Sequence, residues 1–293
     1  LRSPPCSLLS SSSAASDLFN RQLWYWVFMR PLENKEFNLF RNLIFDIAGI
    51  ELKDTKKTLV TSRLQKRLVH YSLNTFGEYF KLLNEDLTGK EKQVMVDLLT
   101  TNETYFFREP AHFDFLTDVL SRHQRGTNFR IWSAASSSGQ EAYSMAMVLA
   151  DKLGQAPWDV VGTDLSSRVL ETARKGLYSL MRTEGISANY LRRFCLKGCG
   201  PHEGELLIIP ELRSRVTFTH ANLNDTLPSI GQFDVIFLRN VMIYFNVDTK
   251  RTIIKRIVEQ LKSGGYLVIG HTESLKGLSD AVVAIKPTIY QKE

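Results

Sequence analysis

Two acidic residues, Glu141 and Asp164, lie just beyond two predicted strands of this chain. Residues 130–141 (RIWSAASSSGQE) are typical of a short strand, a turn of small residues and the start of a helix. The next strand is predicted over residues 160–163 and ends on Asp164, about 25 residues after the turn, near the offset from which a carboxylate hydrogen-bonds ribose hydroxyls. The pattern predicts the first half of a nucleotide-binding βαβ unit with an adenosine-type ligand.

The charge of the turn narrows the choice of ligand. A pyrophosphate needs close backbone approach and hence several glycines, but this turn has only Gly139, and Glu141 stands where the phosphate would lie. An anion there repels phosphate and suits an ammonium or a sulfonium group, both of which S-adenosylmethionine carries. A second interpretation stays open, in which Glu141 is a first-turn acid stabilised by the helix dipole.

Two further polar stretches accompany the predicted strands. Residues 101–109 (TNETYFFRE) precede the first strand, and residues 239–245 (RNVMIYF) follow a later one. Taken singly, Arg239 can be a surface charge, Asn240 a helix cap and Tyr244 a core residue. Open α/β sheets bind ligands at the carboxyl ends of their strands, so we expect these stretches to gather with the turn at one edge of one sheet.

The apolar pattern divides the chain into a helical part and an α/β part. No strand signal occurs in residues 35–125, where apolar residues recur at helical spacing, so a helical domain is predicted there. Residues 126–293 alternate strands with helices and contain the run FDVIFL, which is typical of a central parallel strand buried on both faces. A turn-rich stretch at about 190–215 predicts a small antiparallel insertion. Residues 1–34, Ser- and Pro-rich at their start, are predicted to be a flexible extension.

Composition sets broad limits on the class of protein. At 293 residues, with 43% hydrophobic and 23% charged residues, the chain is long enough for two globular domains. A net charge of +6 favours acidic partners, and nucleic acid, anionic lipid and acidic protein surfaces all stay open. Three cysteines without framework spacing favour a reducing, cytoplasmic compartment. Cys195, Cys199 and His202 lack a fourth zinc ligand, so no metal is expected, and no apolar run approaches the roughly 20 residues of a membrane helix.

A series of motifs runs through about residues 35–291 and resembles the CheR family of chemotaxis receptor methyltransferases. In family order they are TNETYFFRE, RIWSAASSSGQEAYS, the GTD that ends on Asp164, GPHEG, ANL, RNVMIYF and GGYLVIGHTES. One departure is that the family's turn commonly reads STGEEP where this chain has SSGQEA, with Gln140 and Ala142 in place of an acid and a proline. The second acid of the turn is kept as Glu141.

The resemblance implies an α/β fold: a class I S-adenosylmethionine-dependent methyltransferase with a Rossmann-like doubly wound sheet, an all-α N-terminal domain and a small antiparallel β-insertion. It implies methyl transfer from S-adenosylmethionine to glutamate side chains of bacterial chemoreceptors, with S-adenosylhomocysteine as product. Glu141 is assigned to the cofactor's ammonium group, Asp164 to its ribose, and Tyr244 to the neighbourhood of the transferred methyl. The residues assigned to the cofactor as a whole are Asn102, Thr104, Arg108, Glu141, Asp164, Asn222, Leu223, Arg239 and Asn240.

Basic residues on the predicted second helix suggest a contact with a partner. Lys56, Arg63, Lys66 and Arg67 line up beside its buried stripe, and the resemblance implies that they contact the acidic methylation region of the cytoplasmic domain of the receptor. A solvated basic face is the alternative interpretation. In some family members the β-insertion captures a peptide at the receptor's C-terminus, and GPHEG at residues 200–204 is similar to those members. We expect no nucleic-acid partner, no membrane insertion and a monomer.

The expected chemistry needs few groups. A glutamate carboxylate has a pKa of about 4.3, so it is already nucleophilic at neutral pH and needs neither a general base nor a metal. Alignment of oxygen, methyl and sulfur in a water-poor site should dominate, and we hypothesise that Arg108 and Tyr244 position the substrate as the catalytic residues. Two rivals are a nucleic-acid methyltransferase, although the sequence lacks an NPPY-type motif for a flipped base, and a catalytically weak adaptor that binds the cofactor.

Overall fold

The computed structural model describes residues 31–124 and 126–293. The extension predicted at residues 1–34 therefore lies outside the described residues except for its last four positions. The first helix of the described residues, α1, begins at Asn34, the last of these four. None of the described helices combines the length and the apolar character that a bilayer crossing requires.

The chain forms two compact units. Among the described residues, one unit consists of residues 31–41 and 53–92, and the other of residues 42–52, 93–124 and 126–293. The first unit is helical, whereas the second contains the β-sheets. The domain limits that the sequence suggested at residues 35 and 126 stay a prediction.

The first unit is built on amphipathic helices. Its described elements are α1 (Asn34–Ala48, whose last residues belong to the second unit), a 3₁₀ turn (Asp54–Lys56), α2 (Lys57–Tyr71), α3 (Phe76–Glu85) and the start of α4 (Lys90–Leu99). Leu64 and Leu68 belong to the fully buried stripe predicted for α2. The ring of Phe40 on α1 packs on those of Phe76 and Tyr79 on α3, with centroids 6.4 and 6.1 Å away. Apolar spacing thus explains most of this unit.

A single carboxylate organises the polar contacts of the first unit. Glu91, near the start of α4, accepts hydrogen bonds from Nε and Nη2 of Arg67, both at 2.7 Å. The hydroxyls of Tyr71 and Tyr79 donate to the same carboxylate at 2.9 and 2.7 Å. Burial alone would raise the pKa of Glu91, but Arg67 and the two tyrosines hold it below its ordinary value. The carboxylate is therefore a fixed anion inside the helical unit.

The second unit alternates strands and helices. Its described helices are α5 (Ala111–Ser121), α6 (Gln140–Leu153), α7 (Ser167–Lys175), α8 (Ala188–Phe194), α9 (Pro210–Arg213) and α10 (Val247–Glu259). The described strands are β1 (Phe129–Ala134), β2 (Trp158–Asp164), β3 (Leu177–Ser179), β4 (Cys195–Lys197), β5 (Glu205–Ile208), β6 (Val216–His220), β7 (Phe233–Leu238), β8 (Leu261–Ile269), β9 (Val282–Lys286) and β10 (Ile289–Lys292). This alternation is the predicted pattern of an α/β fold.

Within the described part of the chain, the large sheet has seven strands in the order β6-β2-β1-β7-β8-β10-β9. Strands β6, β2, β1, β7 and β8 are parallel, and the last two pair antiparallel at one edge. In β7, Val235 and Phe237 face one apolar cluster while Ile236 and Leu238 face the other. Both faces are covered, which explains why FDVIFL is apolar almost throughout.

The predicted small antiparallel insertion is present as a separate sheet. Its strand order is β3-β5-β4, with antiparallel pairing on both sides of the central strand. The first of these strands, Leu177–Ser179, precedes the stretch of about 190–215 in which the insertion was expected. A three-residue strand carries too little periodicity to be recognised from its sequence.

Candidate active site

The strand order of the large sheet brings the predicted site residues to one edge. Asn222, Asp164, the turn after β1 and Arg239 follow the carboxyl ends of β6, β2, β1 and β7, which are consecutive neighbours in the sheet. Ligands of open α/β sheets bind at this edge. The expectation that these separate stretches would gather there agrees with the geometry.

Asp164 ties together the loops after β1 and β2. Its Oδ2 accepts from the main-chain N–H of Ser137 and its Oδ1 from that of Ser166, both at 2.8 Å. Burial raises the pKa of this carboxyl, and the two N–H groups act against that rise. Each carboxylate oxygen can accept a further hydrogen bond, so Asp164 can bind hydroxyl groups while it holds the turn.

The glycines of this region serve packing. Gly139 has φ +92°, and a Cβ there would lie 2.8 Å from the Cβ of Ala173 and 3.0 Å from the ring of Phe218. A Cβ on Gly162 would come within 2.6 Å of the same ring. Neither glycine is therefore needed to admit a pyrophosphate, which agrees with the interpretation that the turn does not bind one.

Glu141, in the first turn of α6, points its carboxylate into a polar centre. Its Oε1 accepts from Ser133 Oγ at 2.7 Å, and its Oε2 accepts from Arg239 Nη1 at 3.0 Å. Burial raises the pKa of Glu141, and the positive charge of Arg239 opposes the shift. A second cation, such as an ammonium group, would therefore further stabilise the ionised form of this carboxylate.

Arg239 connects three parts of the site. None of its side chain is exposed, and its guanidinium lies 3.0 Å from both Glu109 and Glu141. Its Nη2 also donates to the main-chain oxygen of Arg108 at 2.6 Å. Taken alone in the sequence, Arg239 could be a surface charge, but this interpretation is wrong, because two carboxylates compensate its burial.

The stretch before the sheet adopts an unusual backbone. Phe107 and Glu109 have φ values of +54° and +59°, and the Phe107 N–H donates to Ser144 Oγ at 3.0 Å. The main-chain oxygen of Asn102 accepts from Ser137 Oγ at 2.8 Å, which joins this stretch to the turn after β1. Thr104, between them, is partly exposed.

Arg108 differs from Arg239 in its surroundings. Its guanidinium donates to the main-chain oxygen of Glu103 at 3.2 Å and lies 5.6 Å from the centroid of the Tyr105 ring. Among the residues that the structure describes, it forms no ion pair with a carboxylate. A partly exposed guanidinium without such an ion pair can bind the carboxylate of another molecule.

The remaining predicted residues are held by different kinds of contact. Asn222 donates from Nδ2 to the oxygen of Ile47 at 2.6 Å, and Leu223 is buried. Tyr244 ends a 3₁₀ turn (Met242–Tyr244), and its ring packs on the apolar cluster of one sheet face. One interpretation of the sequence made Asn240 a helix cap. In the structure its Nδ2 instead donates to Glu109 Oε1 at 3.2 Å.

Sequence reasoning missed a cluster beside Arg239. Glu109, His112 and His271 offer ligand atoms within 4.8 Å of one another. Burial would raise the pKa of Glu109, but the charge of Arg239 and the hydrogen bond from Asn240 hold it below its ordinary value. A cation would have to compete with a guanidinium 3.0 Å from the shared oxygen, so the charges disfavour a metal here.

The predicted docking residues are not equivalent. Lys56 and Lys66 are exposed and Arg63 is half-buried. Arg67 is engaged by Glu91 inside the helical unit. Its guanidinium therefore has a structural role that a sequence pattern of basic residues could not indicate.

The site fits an adenosyl ligand with an amino-acid end. The hydroxyls of Ser136 and Ser166 are buried without a hydrogen-bond partner, and so is Nε of Arg239. Buried polar atoms without partners are costly unless a ligand or water satisfies them. The acids Glu141 and Asp164 and the two serine hydroxyls can accept hydrogen bonds from hydroxyl and ammonium groups, whereas the Nε–H of Arg239 can only donate and suits a carboxylate.

Comparison with known proteins agrees with this chemistry. A family model for "CheR methyltransferase, SAM binding domain" matches residues 102–290, and one for "CheR methyltransferase, all-alpha domain" matches residues 35–100. The chain is 42% identical over 262 residues to a chemotaxis protein methyltransferase of Salmonella typhimurium, which covers 88% of this chain and 90% of the relative. It is 38% identical over 283 residues to chemotaxis protein methyltransferase 2 of Pseudomonas aeruginosa, covering 95% and 98%.

The matches confirm the predicted fold class and cofactor. The second family model spans most of the helical first unit, and the first spans the sheet that carries the site. A relative from Escherichia coli with the same printed name is 41% identical over 264 residues, covering 88% of this chain and 91% of its own. The chain belongs to the CheR family of methyltransferases, and its large sheet is the core of a domain that binds S-adenosylmethionine.

Proposed function

We propose that the protein methylates glutamate side chains on the cytoplasmic domain of bacterial chemoreceptors, forming glutamate methyl esters. The observation that carries this proposal is Arg108, a partly exposed guanidinium next to the fixed charges of the site and without a carboxylate partner among the described residues. Such a group suits an incoming carboxylate substrate. The printed names of the relatives, chemotaxis protein methyltransferases, support a receptor of that class.

In this proposal the charges of the site determine which part of the cofactor binds at each residue. Glu141 holds the ammonium group, because a carboxylate that burial has made less stable gains from a second cation. Asp164 binds the ribose with the acceptor capacity that its two N–H donors leave. Asn222 and Leu223 flank the adenine. The remaining contacts come from Asn102, Thr104, Arg108, Arg239 and Asn240.

The reaction is a direct displacement. The cofactor supplies an electrophilic methyl group, so the O–CH₃ bond forms while the S–CH₃ bond breaks and its electron pair stays on sulfur. The substrate carboxylate is ionised at neutral pH, and no proton needs to move. Opposite charges neutralise each other during the transfer, so a strong fixed charge gives little preferential stabilisation. Arg108 and Tyr244 contribute by orienting the carboxylate oxygen.

Receptor binding uses two further surfaces in this proposal. Lys56, Arg63 and Lys66 present positive charge from the first unit, whereas Arg67 is left out because Glu91 engages it. The small sheet of the second unit offers the edge strand β4, in which Leu196 is half exposed. An extended receptor peptide can add to such an edge by main-chain hydrogen bonds.

Radiolabelled cofactor tests the proposal. Incubation with a receptor fragment and S-adenosylmethionine tritiated in its methyl group should give protein-bound label that mild base releases as methanol. Label that resists base, or that appears in added nucleic acid, would support the rival methyltransferase, and no label at all would support an adaptor.

The Arg108→Ala variant tests the positioning role. We expect S-adenosylhomocysteine to bind within a few-fold of wild type while methylation slows by about 100-fold, since misorientation of a reacting group costs this much. Arg122→Ala, at an exposed position directly after α5, serves as the matched control. Equal rates for the two variants would contradict the role of Arg108.

A further inference from the structure

A carboxylate outside the predicted set gathers three main-chain donors. Glu273 follows β8 in the stretch GHTES. Its Oε2 accepts from the N–H of Asn240 at 2.9 Å and of Gly270 at 2.8 Å, and its Oε1 accepts from the N–H of Met242 at 2.8 Å. One side chain therefore joins the loops that follow β7 and β8.

The backbone that Glu273 holds is strained. Asn240 has φ +57°, a left-handed conformation that is unfavourable for a residue other than glycine. A Cβ on Gly270 would lie 2.6 Å from Asn240 Nδ2 and 2.9 Å from Glu273 Oε2, so the two loops touch with no room for a side chain. The carboxylate compensates this strain by satisfying N–H groups that would otherwise point inward.

The strained turn carries the chemistry of the site. Arg239 reaches Glu141 and Glu109 from its first position, and Tyr244 ends it in a 3₁₀ turn that begins at Met242. The hydrogen bonds from the N–H groups of Asn240 and Met242 to Glu273 therefore fix the backbone from which the side chains of Arg239 and Tyr244 extend. A displacement of this turn moves them together.

We propose that Glu273 is a positioning residue for methyl transfer, which holds residues 239–244 in the conformation that presents Arg239 and Tyr244 to the reacting groups. This inference rests on the proposed function. Burial raises the pKa of Glu273, and the N–H groups of Gly270, Asn240 and Met242 oppose that rise. The ionised carboxylate is the form that accepts all three hydrogen bonds.

Glu273→Gln is the variant that separates charge from shape. Its amide oxygen can still accept, but its NH₂ group must face at least one main-chain N–H. We expect kcat to fall by at least about tenfold, because the catalytic turn loses its alignment. Glu141 lies on α6 and Asp164 at the end of β2, outside the turn, but Arg239 and Asn240 belong to it, so the Kd of S-adenosylhomocysteine should rise less than kcat falls, by about threefold at most.

A shorter carboxylate and an exposed glutamate serve as controls. Glu273→Asp keeps the charge with a shorter reach and should recover part of kcat, whereas an amide of full length should not. Glu171→Gln on α7 removes an exposed glutamate and should match wild type. Melting temperatures show whether each variant is folded at the assay temperature, and Glu273→Asp keeps the test valid if Glu273→Gln is unfolded.

Amide hydrogen exchange gives a readout that does not depend on turnover. Peptides covering residues 239–244 and residue 270 should exchange at least about tenfold faster in Glu273→Gln than in wild type. Unchanged exchange, or faster exchange with an unchanged kcat, overturns the positioning role. A wild type that makes no methyl ester fails the proposed function instead, and the exchange result then decides separately whether Glu273 orders the turn.

Discussion

A guanidinium with no exposed side chain is costly to bury, and Arg239 is accommodated because Glu109 and Glu141 both lie 3.0 Å from it. Contacts within the protein hold these three charges together. In the proposed function, the cofactor's amino-acid end, itself a zwitterion, binds where the protein fixes both acceptors and donors. Preorganisation of this kind lowers the cost of binding.

At Asp164, the two oxygens and their two main-chain donors predict a strict need for the carboxylate. Asn at this position keeps the size but turns an NH₂ group toward the N–H of Ser137 or of Ser166. We expect the Kd of S-adenosylhomocysteine to rise by about tenfold or more, which corresponds to about 1.4 kcal/mol, in isothermal titration calorimetry. Asp280→Asn, at an exposed position, should leave Kd unchanged. A normal Kd for Asp164→Asn would contradict the ribose assignment.

His112 predicts a pH dependence of stability. Burial lowers its pKa to about 4, helped by Arg239 and His271 and opposed by Glu109. The unfolded chain takes up this proton near its ordinary pKa of about 6.5, so the native state should lose up to about 3 kcal/mol as the pH falls from about 6.5 to about 4.

Urea unfolding at several pH values measures this effect. His112→Gln removes the titrating group, so the stability of the variant should fall less steeply over the same pH range than that of wild type. His70→Gln, at an exposed position on α2, should keep the wild-type slope. Parallel curves for wild type and His112→Gln would show that His112 does not cause the acid sensitivity.

At the scale of elements, the helices of the first unit depend on one buried ion pair. In Glu91→Gln, Arg67 loses the anion that compensates its partial burial, and Tyr79 keeps only a weaker acceptor. We expect the free energy of unfolding to fall by about 2–4 kcal/mol in chemical denaturation.

A matched pair on α3 provides the control. Glu85 lies 3.8 Å from Lys81, and both side chains are largely exposed. Its replacement by glutamine should change stability by less than about 0.5 kcal/mol. Equal effects of Glu85→Gln and Glu91→Gln would mean that the Glu91 cluster does not stabilise the fold.

For the whole molecule, the net charge of +6 predicts long-range attraction to an acidic receptor. Raising NaCl from 50 to 300 mM shortens the Debye length to about 6 Å, so the KM for a receptor fragment should rise by about fivefold or more. The Kd of S-adenosylhomocysteine should stay within about twofold, because the carboxylates proposed to bind it, Glu141 and Asp164, are largely buried and therefore less screened.

Reversing the charge of single lysines tests which part of the protein attracts the receptor fragment. Lys66→Glu should raise the KM for the receptor fragment and weaken its salt dependence, whereas Lys255→Glu, exposed on α10, should do so much less. If both variants behave alike, the net charge rather than the basic face of α2 attracts the receptor.

Local patterns in the sequence were enough for the fold class. FDVIFL is apolar because both faces of β7 are covered, and the helical spacing of Leu64 and Leu68 marks the buried face of α2. Such periodicities are properties of neighbouring residues, so the sequence contains them explicitly. The three-residue strand β3 was missed because it is too short to show one.

The positions of the motif residues followed from the sequence, but their partners did not. Arg239 and Arg108 are 131 positions apart, as are Asn240 and Glu109, and only the order of parallel strands brings them together. Glu273 has no sequence signal for its role, since its partners are main-chain groups. Residue types and spacing by themselves indicated an adenosine-type ligand that carries a positive charge, and the order of the motifs gave the resemblance to this family. Burial and long-range pairing decided which charges are fixed in the site and which can bind, because both depend on elements that meet only after folding.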